Sequence, residues 1–139
     1  MSVRLGSSWK FLLPRNRHSD PQMSDARTIC QNLGGDLAII RSQDENNFIT
    51  DLVRNKVTGQ SWGAWIGLHK DADGMFYWID GTPLTGQYSA WASGEPNFVY
   101  HKCVHTAIYR EGKWNDNTCS FPESSRSNAP IVLCQKKSI

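Results

Sequence analysis

The stretch that decides the fold of this chain runs from residue 95 to residue 119 and reads EPNFVYHKCVHTAIYREGKWNDNTC. It contains two short clusters, Glu95-Pro96-Asn97 and Trp114-Asn115-Asp116, each of which pairs one carboxylate with one amide oxygen. A hard cation such as Ca²⁺ prefers several oxygen ligands of mixed carboxylate and amide or carbonyl type. A disulfide between cysteines could hold the two clusters together, and the stretch itself contains Cys103 and Cys119. It therefore predicts a site for a hard cation.

Composition places the chain among ordinary globular proteins. Its 139 residues, 39% of them hydrophobic, suffice for one domain with a buried core. The net charge of +2 is too small to indicate a nucleic acid or a membrane surface as partner. No apolar run reaches roughly 18 residues, so we expect no membrane insertion, and no signal peptide is expected because the run 11–13 ends at Pro14. We predict an N-terminal arm over residues 1–7 and one domain over residues 8–139.

The four cysteines, Cys30, Cys103, Cys119 and Cys134, bear on the cellular compartment. Four cysteines allow three disulfide pairings, and their spacing alone does not choose among them. A metal site is the alternative, although no Cys-x-x-Cys spacing is present. Disulfides would predict a secreted or extracellular protein, because cytosolic thiols are kept reduced.

A first amphipathic helix is predicted after Asp20-Pro21, a pair typical of a helix start. Its apolar face would consist of Ala26, Ile29, Cys30 and Leu33. Gly34-Gly35 is expected to end the helix, since glycine readily adopts the left-handed conformation found at helix C-termini.

A second helix is predicted from a capping box. After a short apolar strand over residues 37–40, Ser42 and Glu45 are spaced to satisfy each other's backbone donors. Apolar residues then repeat at four-residue spacing, as Phe48 with Leu52 and Ile49 with Val53. We expect this helix to extend to about Lys56.

Strands and loops dominate the remainder. Strands are predicted over residues 8–13, 65–68, 76–79, 103–109, 113–114 and 131–134, and a long loop over residues 82–102. The insert 120–130 is rich in Pro, Ser and Asn and predicts a flexible loop. Trp65, Trp78, Trp91 and Trp114 are expected to be core residues. Two helices followed by a strand-rich half predict an α+β domain.

These motifs, with the four cysteines and Trp65-Ile66-Gly67-Leu68, resemble the C-type lectin-like domain over roughly residues 8–137. The resemblance implies two helices packed on antiparallel sheets beside a long calcium-binding loop region, in a short form of the fold. It also implies the disulfides Cys30–Cys134 and Cys103–Cys119.

The resemblance implies a calcium-dependent sugar site as well. Its metal ligands would be Glu95, Asn97, Asn115 and Asp116, with a cis Glu95-Pro96 peptide that turns both flanking side chains toward one ion. Sugar hydroxyls would complete the coordination of about six to eight oxygens and hydrogen-bond to the same side chains. In this family Glu-Pro-Asn goes with mannose, fucose or N-acetylglucosamine, so the expected partner is a glycan that presents such sugars.

One position departs from the family pattern. A further Glu normally stands two residues before Cys103, where this chain has His101. Loss of that carboxylate should weaken calcium binding, to a dissociation constant of about 10⁻⁴–10⁻³ M or above. Neutral His101 could still accept a sugar hydroxyl proton, which keeps it in the predicted sugar-binding set. Its protonation would repel the ion, so calcium binding is expected to fade on mild acidification.

Three other interpretations concern individual side-chain clusters. His101, Cys103 and His105 share one predicted strand face and could bind zinc if Cys103 were free. Glu95 and Asp116 could be the paired carboxylates of a glycosidase, but a cation-chelating setting would keep both ionised, so no catalytic residue and no enzyme activity are predicted. Asp71 and Asp73 could hold a weak second ion and are more simply a solvated turn.

A protein-interaction module on the same fold, with a degenerate or structural calcium site, is the alternative function. His101 and the insert 120–130 favour it, whereas the intact pair of motifs opposes it. Any homo-oligomer would have to form through the domain surface, since the chain contains no collagen-like or coiled-coil segment.

Overall fold

Two helices lie close to where the apolar periodicity predicts them. The computed structural model describes residues 9–14, 22–56 and 61–137. Helix α1 spans Met23–Asn32 and helix α2 spans Gln43–Lys56. Neither helix of the described residues is long and apolar enough to cross a bilayer.

Helix α1 begins after an extended Gln22, and the predicted start at Asp20-Pro21 lies outside the described residues. Ala26 and Cys30 are fully buried, as predicted. The prediction for Leu33 is wrong: this side chain is 42% exposed, because the helix has ended and Leu33 is its C-cap. Gly34 follows with φ at 88°, which confirms the glycine ending.

Helix α2 confirms half of the predicted capping box. The Ser42 hydroxyl oxygen accepts a hydrogen bond of 3.1 Å from the Glu45 N–H. The Glu45 carboxylate accepts one from the Arg41 N–H, one residue before the predicted partner. Ile49 and Val53 are fully buried against the sheets.

The first and last strands of the described chain belong to a small antiparallel sheet. Strand β1 (Trp9–Leu12) pairs with β7 (Cys134–Lys137), which also pairs with β2 (Asp36–Leu37), in the order β1-β7-β2. The predicted strand over residues 37–40 is wrong beyond Leu37. Residues 38–40 are buried but form no strand, although the Ala38 carbonyl accepts from the Gly67 N–H at 2.8 Å.

A second antiparallel sheet positions the candidate site. It consists of β3 (Gly63–Lys70), β4 (Phe76–Trp78), β5 (Cys103–Ala107) and β6 (Lys113–Asn117), in the order β4-β3-β5-β6. Strand β6 therefore lies at an edge. The predicted strand to Tyr109 ends early, because a 3₁₀ turn over Ile108–Arg110 leads into the β5–β6 hairpin.

Tryptophans and disulfides fix the core. Trp65, Trp78 and Trp114 are fully buried, as predicted, whereas Trp91 is only half-buried against the core. The disulfides Cys30–Cys134 and Cys103–Cys119 confirm the implied pairing. In the loop-entropy account the longer closure stabilises the fold by about 4.7 kcal/mol and the shorter by about 3 kcal/mol. None of the described cysteines is free, so the zinc interpretation through a Cys103 thiolate is wrong.

The two long connections differ from one another. Residues 79–102 form no ladder strand, which confirms the predicted loop. The predicted flexible loop at 120–130 instead contains a 3₁₀ helix over Glu123–Asn128. Its C-terminal end is anchored, since the Trp62 N–H donates to the Asn128 carbonyl at 3.1 Å and the Ser61 hydroxyl donates to the Ala129 carbonyl at 2.8 Å.

Candidate functional site

The loop that carries Glu95 is tied to edge strand β6 by backbone hydrogen bonds. The Trp114 N–H donates to the Ala90 carbonyl at 2.8 Å, and the Ala92 N–H donates to the Trp114 carbonyl at 2.9 Å. The Glu95 N–H closes a turn by donating to the Ala92 carbonyl at 2.9 Å. The Glu95–Pro96 peptide that follows is cis. These contacts bring the first motif beside the second.

Asp116 joins the two motifs. Its side chain is 0% exposed. The carboxylate accepts hydrogen bonds from the Asn97 N–H at 3.2 Å and from the Phe98 N–H at 3.3 Å. Asp116 therefore holds the backbone of residues 97–98 from the buried side of the loop. The Asn97 side chain lies at the surface.

Arg110 is a site residue that the sequence analysis missed. Its Nη1 donates to Glu95 Oε2 at 3.3 Å and to Asn115 Oδ1 at 3.1 Å, and its Nη2 donates to the Ser93 carbonyl at 3.2 Å. Tyr109 also takes part, because its hydroxyl accepts from Asn115 Nδ2 at 2.6 Å.

The signal for both residues is weak in the sequence. Tyr109 and Arg110 lie in the turn between two strands, and only the register of the β5–β6 hairpin places that turn beside Asn115. A turn residue at this position is ordinarily read as solvent-exposed.

The Glu95 carboxyl is in an unfavourable place for a negative charge. Its side chain is only 10% exposed, and Oε1 is buried with no hydrogen-bond partner in the described part of the chain. Burial, followed by the neighbouring Asp116 carboxylate, raises the pKa of Glu95 to about 7, while the positive charge of Arg110 opposes that rise. This pKa describes the metal-free protein, and that a bound cation keeps Glu95 and Asp116 ionised stays a prediction.

The same geometry argues against hydrolysis. A glycosidase needs two carboxyl groups that flank a sugar ring. Asp116 is fully buried beneath the loop, and Glu95 is held by Arg110.

His101 lies beside Asp116, at the edge of the site. Its Nδ1 is 3.8 Å from Asp116 Oδ2, which is too far for a hydrogen bond, and this nitrogen has no partner among the described residues. The ring packs edge-on against Phe98, with centroids 4.7 Å apart. Phe98, Val99 and Tyr100 form an exposed apolar tip, and Tyr100 is 75% exposed.

His105 is a core residue and not a ligand. It is fully buried, with its ring against Trp62 and Trp65. Its Nδ1 lies 2.9 Å from the Thr106 carbonyl, an acceptor, so Nδ1 carries the ring proton and Nε2 accepts from Asn117 Nδ2 at 3.3 Å. Burial lowers the pKa of His105 to about 4. His105 is therefore buried with both ring nitrogens in hydrogen bonds, which argues against its part in the zinc interpretation.

The donor set fits a hard cation in kind. Glu95 Oε1 has no partner among the described residues, Arg110 bridges Glu95 to the Asn115 amide oxygen, and Asn97 reaches the Asp116 carboxylate through its backbone N–H. The set is lean in charge, with two carboxylates, and the described residues contain no group of three or more His, Cys, Asp or Glu side chains that could hold a metal. Arg110 also bonds to two of the oxygens that a calcium ion would need.

The second acidic cluster forms a turn. The Met75 N–H donates to Asp73 Oδ1 at 2.9 Å, and the Tyr77 hydroxyl donates to Asp73 Oδ2 at 2.7 Å. Asp71 pairs with His69 at 2.8 Å. These carboxylates are satisfied by the protein, in agreement with the solvated-turn interpretation.

Comparison with known proteins bears on this geometry. A family model described as "Lectin C-type domain" matches residues 19–125. CD209 antigen-like protein A of Mus musculus is 33% identical over 116 residues, which make up 83% of this chain and 43% of that protein. The chain spans about half or less of the length of the curated relatives it matches.

Two solved structures extend the comparison. The first is the C-type carbohydrate-recognition domain of cow CD23, determined in the presence of a GlcNAc2Man3 oligosaccharide. It is 31% identical to this chain with a TM-score of 0.69, and the match covers 94% of this chain and 88% of the cow domain. The second is a calcium-independent type II antifreeze protein. It is 26% identical with a TM-score of 0.71, and the match covers 99% of this chain and 93% of the antifreeze chain. Proteins of this fold thus include one that is calcium-independent.

Proposed function

Since this chain belongs to the C-type lectin domain family, we propose that it is a carbohydrate-binding domain that recognises mannose-type sugars, including fucose and N-acetylglucosamine, through one calcium ion. The observation that supports this most is the unmet hydrogen-bonding capacity at the junction of the two motifs. Three buried side-chain atoms of the described residues have no partner, and two of them, Glu95 Oε1 and His101 Nδ1, flank Asp116. Buried polar atoms without partners are rare in stable cores, so these await a ligand.

Each side chain has a role in this proposal. Glu95, Asn97, Asn115 and Asp116 would hold the ion, and the bound ion would supply a positive centre for two neighbouring sugar hydroxyls. The carboxylates accept hydrogen bonds from the hydroxyl protons, and the amides of Asn97 and Asn115 donate to the hydroxyl oxygens. Neutral His101 provides one more acceptor at the rim. The Glu95-Pro96-Asn97 sequence favours mannose-type sugars, and the cow CD23 domain was determined with an oligosaccharide of that composition.

The setting is part of the proposal. Two disulfides support a secreted or extracellular location, where cell or glycan recognition takes place. A shallow site with few contacts gives weak single-site affinity, so useful avidity requires several copies, for which a homo-oligomer is one route.

A protein-interaction module is the second candidate. The contact of Arg110 with Glu95 and Asn115 favours it, because a site already neutralised by the protein's own cation can do without calcium. The exposed apolar tip over residues 98–100 would then contact a protein.

Retention on mannose-agarose tests the proposal. We expect the protein to bind the resin in millimolar calcium and to elute with EGTA or with free mannose. The double variant Glu95→Gln, Asn97→Asp, which creates the galactose-type motif, should lose retention on mannose. Asp71→Asn, which removes a carboxylate from the turn that follows β3, should behave like the native protein. Absence of retention together with a melting temperature indifferent to calcium would favour the protein-interaction module.

A further inference from the structure

We infer that Arg110 is an internal cation that holds the oxygens calcium would use, so that calcium binds only when it displaces the Arg110 guanidinium. The inference gives a form of regulation to the proposed sugar site and rests on that function for its biological meaning. The competition between the two cations is a separate property, and it can be measured without any sugar.

The contacts of Arg110 define the competition. Nη1 lies between Glu95 Oε2 and Asn115 Oδ1, at 3.3 Å and 3.1 Å, so one nitrogen bridges an oxygen from each motif. Nη2 fixes the fork by donating to the Ser93 carbonyl at 3.2 Å. Among lysines and arginines of the described chain, only Arg110 forms an ion pair with Glu95 or Asp116.

Calcium and the guanidinium cannot use these oxygens together. A calcium ion at its usual ligand distance of about 2.3–2.6 Å would occupy the lone pairs to which Nη1 donates. It would also bring a double positive charge within a few ångströms of the arginine, where repulsion is strong in a partly buried site. Binding of the ion therefore requires the guanidinium to leave Glu95 and Asn115.

Arg110 is placed so that it can leave. Its side chain is 33% exposed, in contrast to the 10% of Glu95, so one side of the guanidinium already faces water. It ends the short 3₁₀ turn, and Glu111 and Gly112 follow with φ at 61° and 81° in the hairpin connection. Withdrawal into solvent needs only rotation of a long side chain, with no strand displaced.

Two consequences follow for the site. In the absence of calcium, Arg110 offsets the negative charge of the buried carboxylates and keeps the two motifs together. When calcium binds, the hydrogen bonds of Arg110 to Glu95 and Asn115 are lost, and their loss weakens calcium binding. The absence of a carboxylate at position 101, where this chain has His101, weakens it further. Arg110 thereby sets the calcium concentration at which the site opens to a ligand.

Calorimetric titration of calcium into Arg110→Gln tests the inference. A hydrogen bond to a charged group contributes roughly the free energy of a tenfold change in affinity, so we expect Arg110→Gln to bind calcium about tenfold more tightly than the native protein. The matched control is Arg54→Gln, which removes one positive charge from an exposed position on α2 that pairs only loosely with Asp51, at 3.8 Å. Its calcium affinity should stay at the native value.

Equal or weaker calcium binding by Arg110→Gln, measured on protein with native circular dichroism, would overturn the inference. So would the absence of calcium binding by both proteins at 20-fold above roughly 10⁻³ M, the weak limit for extracellular modules. If Arg110→Gln fails to fold, the native protein itself supplies the test. The Arg110 side-chain Nε–H resonance should shift during a calcium titration, and a resonance that does not move at saturation would contradict displacement.

The outcome is separable from that of the proposed function. Tighter calcium binding by Arg110→Gln without retention on mannose-agarose would support Arg110 as the competitor and reject the sugar. Retention on mannose-agarose with equal calcium affinity in native protein and variant would keep the lectin function and reject the competitor.

Discussion

Two polar clusters meet on strand β6 and differ in how fully their hydrogen bonds are satisfied. In the first, Asn46 Oδ1 accepts from Trp114 Nε1 at 2.9 Å, and Asn46 Nδ2 donates to the Gly112 carbonyl at 3.1 Å. We call this the Asn46 cluster. The second is the Glu95 cluster, which consists of Glu95, Arg110, Asn115 and Asp116. In it, one Glu95 oxygen has no hydrogen-bond donor among the described residues.

This difference in hydrogen bonding indicates a structural role for the Asn46 cluster and a functional role for the Glu95 cluster. The Asn46 cluster joins α2 to the β5–β6 hairpin and to Trp114. Both hydrogen bonds named above connect one buried group of the protein with another. The Glu95 cluster places two carboxyl groups together under a loop and offsets them with one arginine. A fully paired buried network stabilises a fold, whereas a partly paired one stabilises it less and keeps capacity for a ligand. Substitutions in the two clusters should therefore differ in sign as well as in size.

Asn46→Ala should have the largest effect. It leaves Trp114 Nε1 and the Gly112 carbonyl buried without partners, at about 1–3 kcal/mol each. We expect the free energy of unfolding in urea to fall by about 4 kcal/mol. Asn47→Ala is the matched control, since Asn47 is the exposed neighbour on α2, and it should change this free energy by less than about 0.5 kcal/mol. Similar losses for both would show that the Asn46 cluster is not structural.

Low pH should destabilise the fold through a third buried group, His105. Both of its ring nitrogens are hydrogen-bonded only while the ring is neutral. Its pKa is lowered to about 4 in the folded protein from 6.5, so between these values the unfolded chain binds more protons. Stability is therefore full above pH 6.5 and falls as the pH drops toward 4, by on the order of 3 kcal/mol. Urea unfolding at pH 7.5 and 4.5 measures this loss. His105→Gln should lose less stability than the native protein over that interval, and an equal loss would exclude His105 as its source.

Calcium should stabilise the Glu95 cluster. At a calcium concentration about 100 times the dissociation constant, ligand binding raises the free energy of unfolding by about 2.7 kcal/mol. Asp116→Asn should abolish this gain, because it removes the carboxylate that both joins the loop and would bind the ion. Asp71→Asn should keep the gain. The reverse pattern would place the ion at the turn of residues 71–74 and reverse the comparison.

Glu95→Gln should have the smallest effect on the metal-free protein. The substitution replaces one of two neighbouring carboxylates with an amide that can donate to Asp116, at the cost of the ion pair with Arg110. We expect the free energy of unfolding in EGTA to rise by about 1 kcal/mol or to remain unchanged. A loss as large as that of Asn46→Ala would show that Glu95 is a structural residue, and the functional reading of the cluster would fail.

Much of the fold could be predicted because its signals are local. The periodicity of α2, the apolar run of β3 and the glycine ending of α1 each follow from a few adjacent residues. The errors arose where tertiary contacts decide. Leu33 falls on the predicted apolar face yet lies past the helix end, and the polar insert 120–130 is ordered by hydrogen bonds to residues near 61.

The candidate site divides in the same way. Resemblance to the family predicts Glu95, Asn97, Asn115 and Asp116 as the ligands. In the structure Asp116 accepts from the Asn97 backbone N–H, and Arg110 bridges Glu95 and Asn115. Arg110 could not be predicted, because its role depends on how a hairpin turn folds back across a loop. The raised pKa of Glu95 was missed for a related reason, since burial is a property of the packed chain and not of the motif.

The disulfide Cys30–Cys134 has a mechanical consequence. The bond closes a covalent loop with a sequence separation of 104, and every residue of both polar clusters lies inside it. Tension applied to the chain on either side of this bridge would pass through the sulfur–sulfur bond and bypass the enclosed residues. Helix α2, the second sheet and the junction at Asp116 would keep their geometry under a pull that extends the flanking segments, a useful property for any domain that must hold its partner against shear.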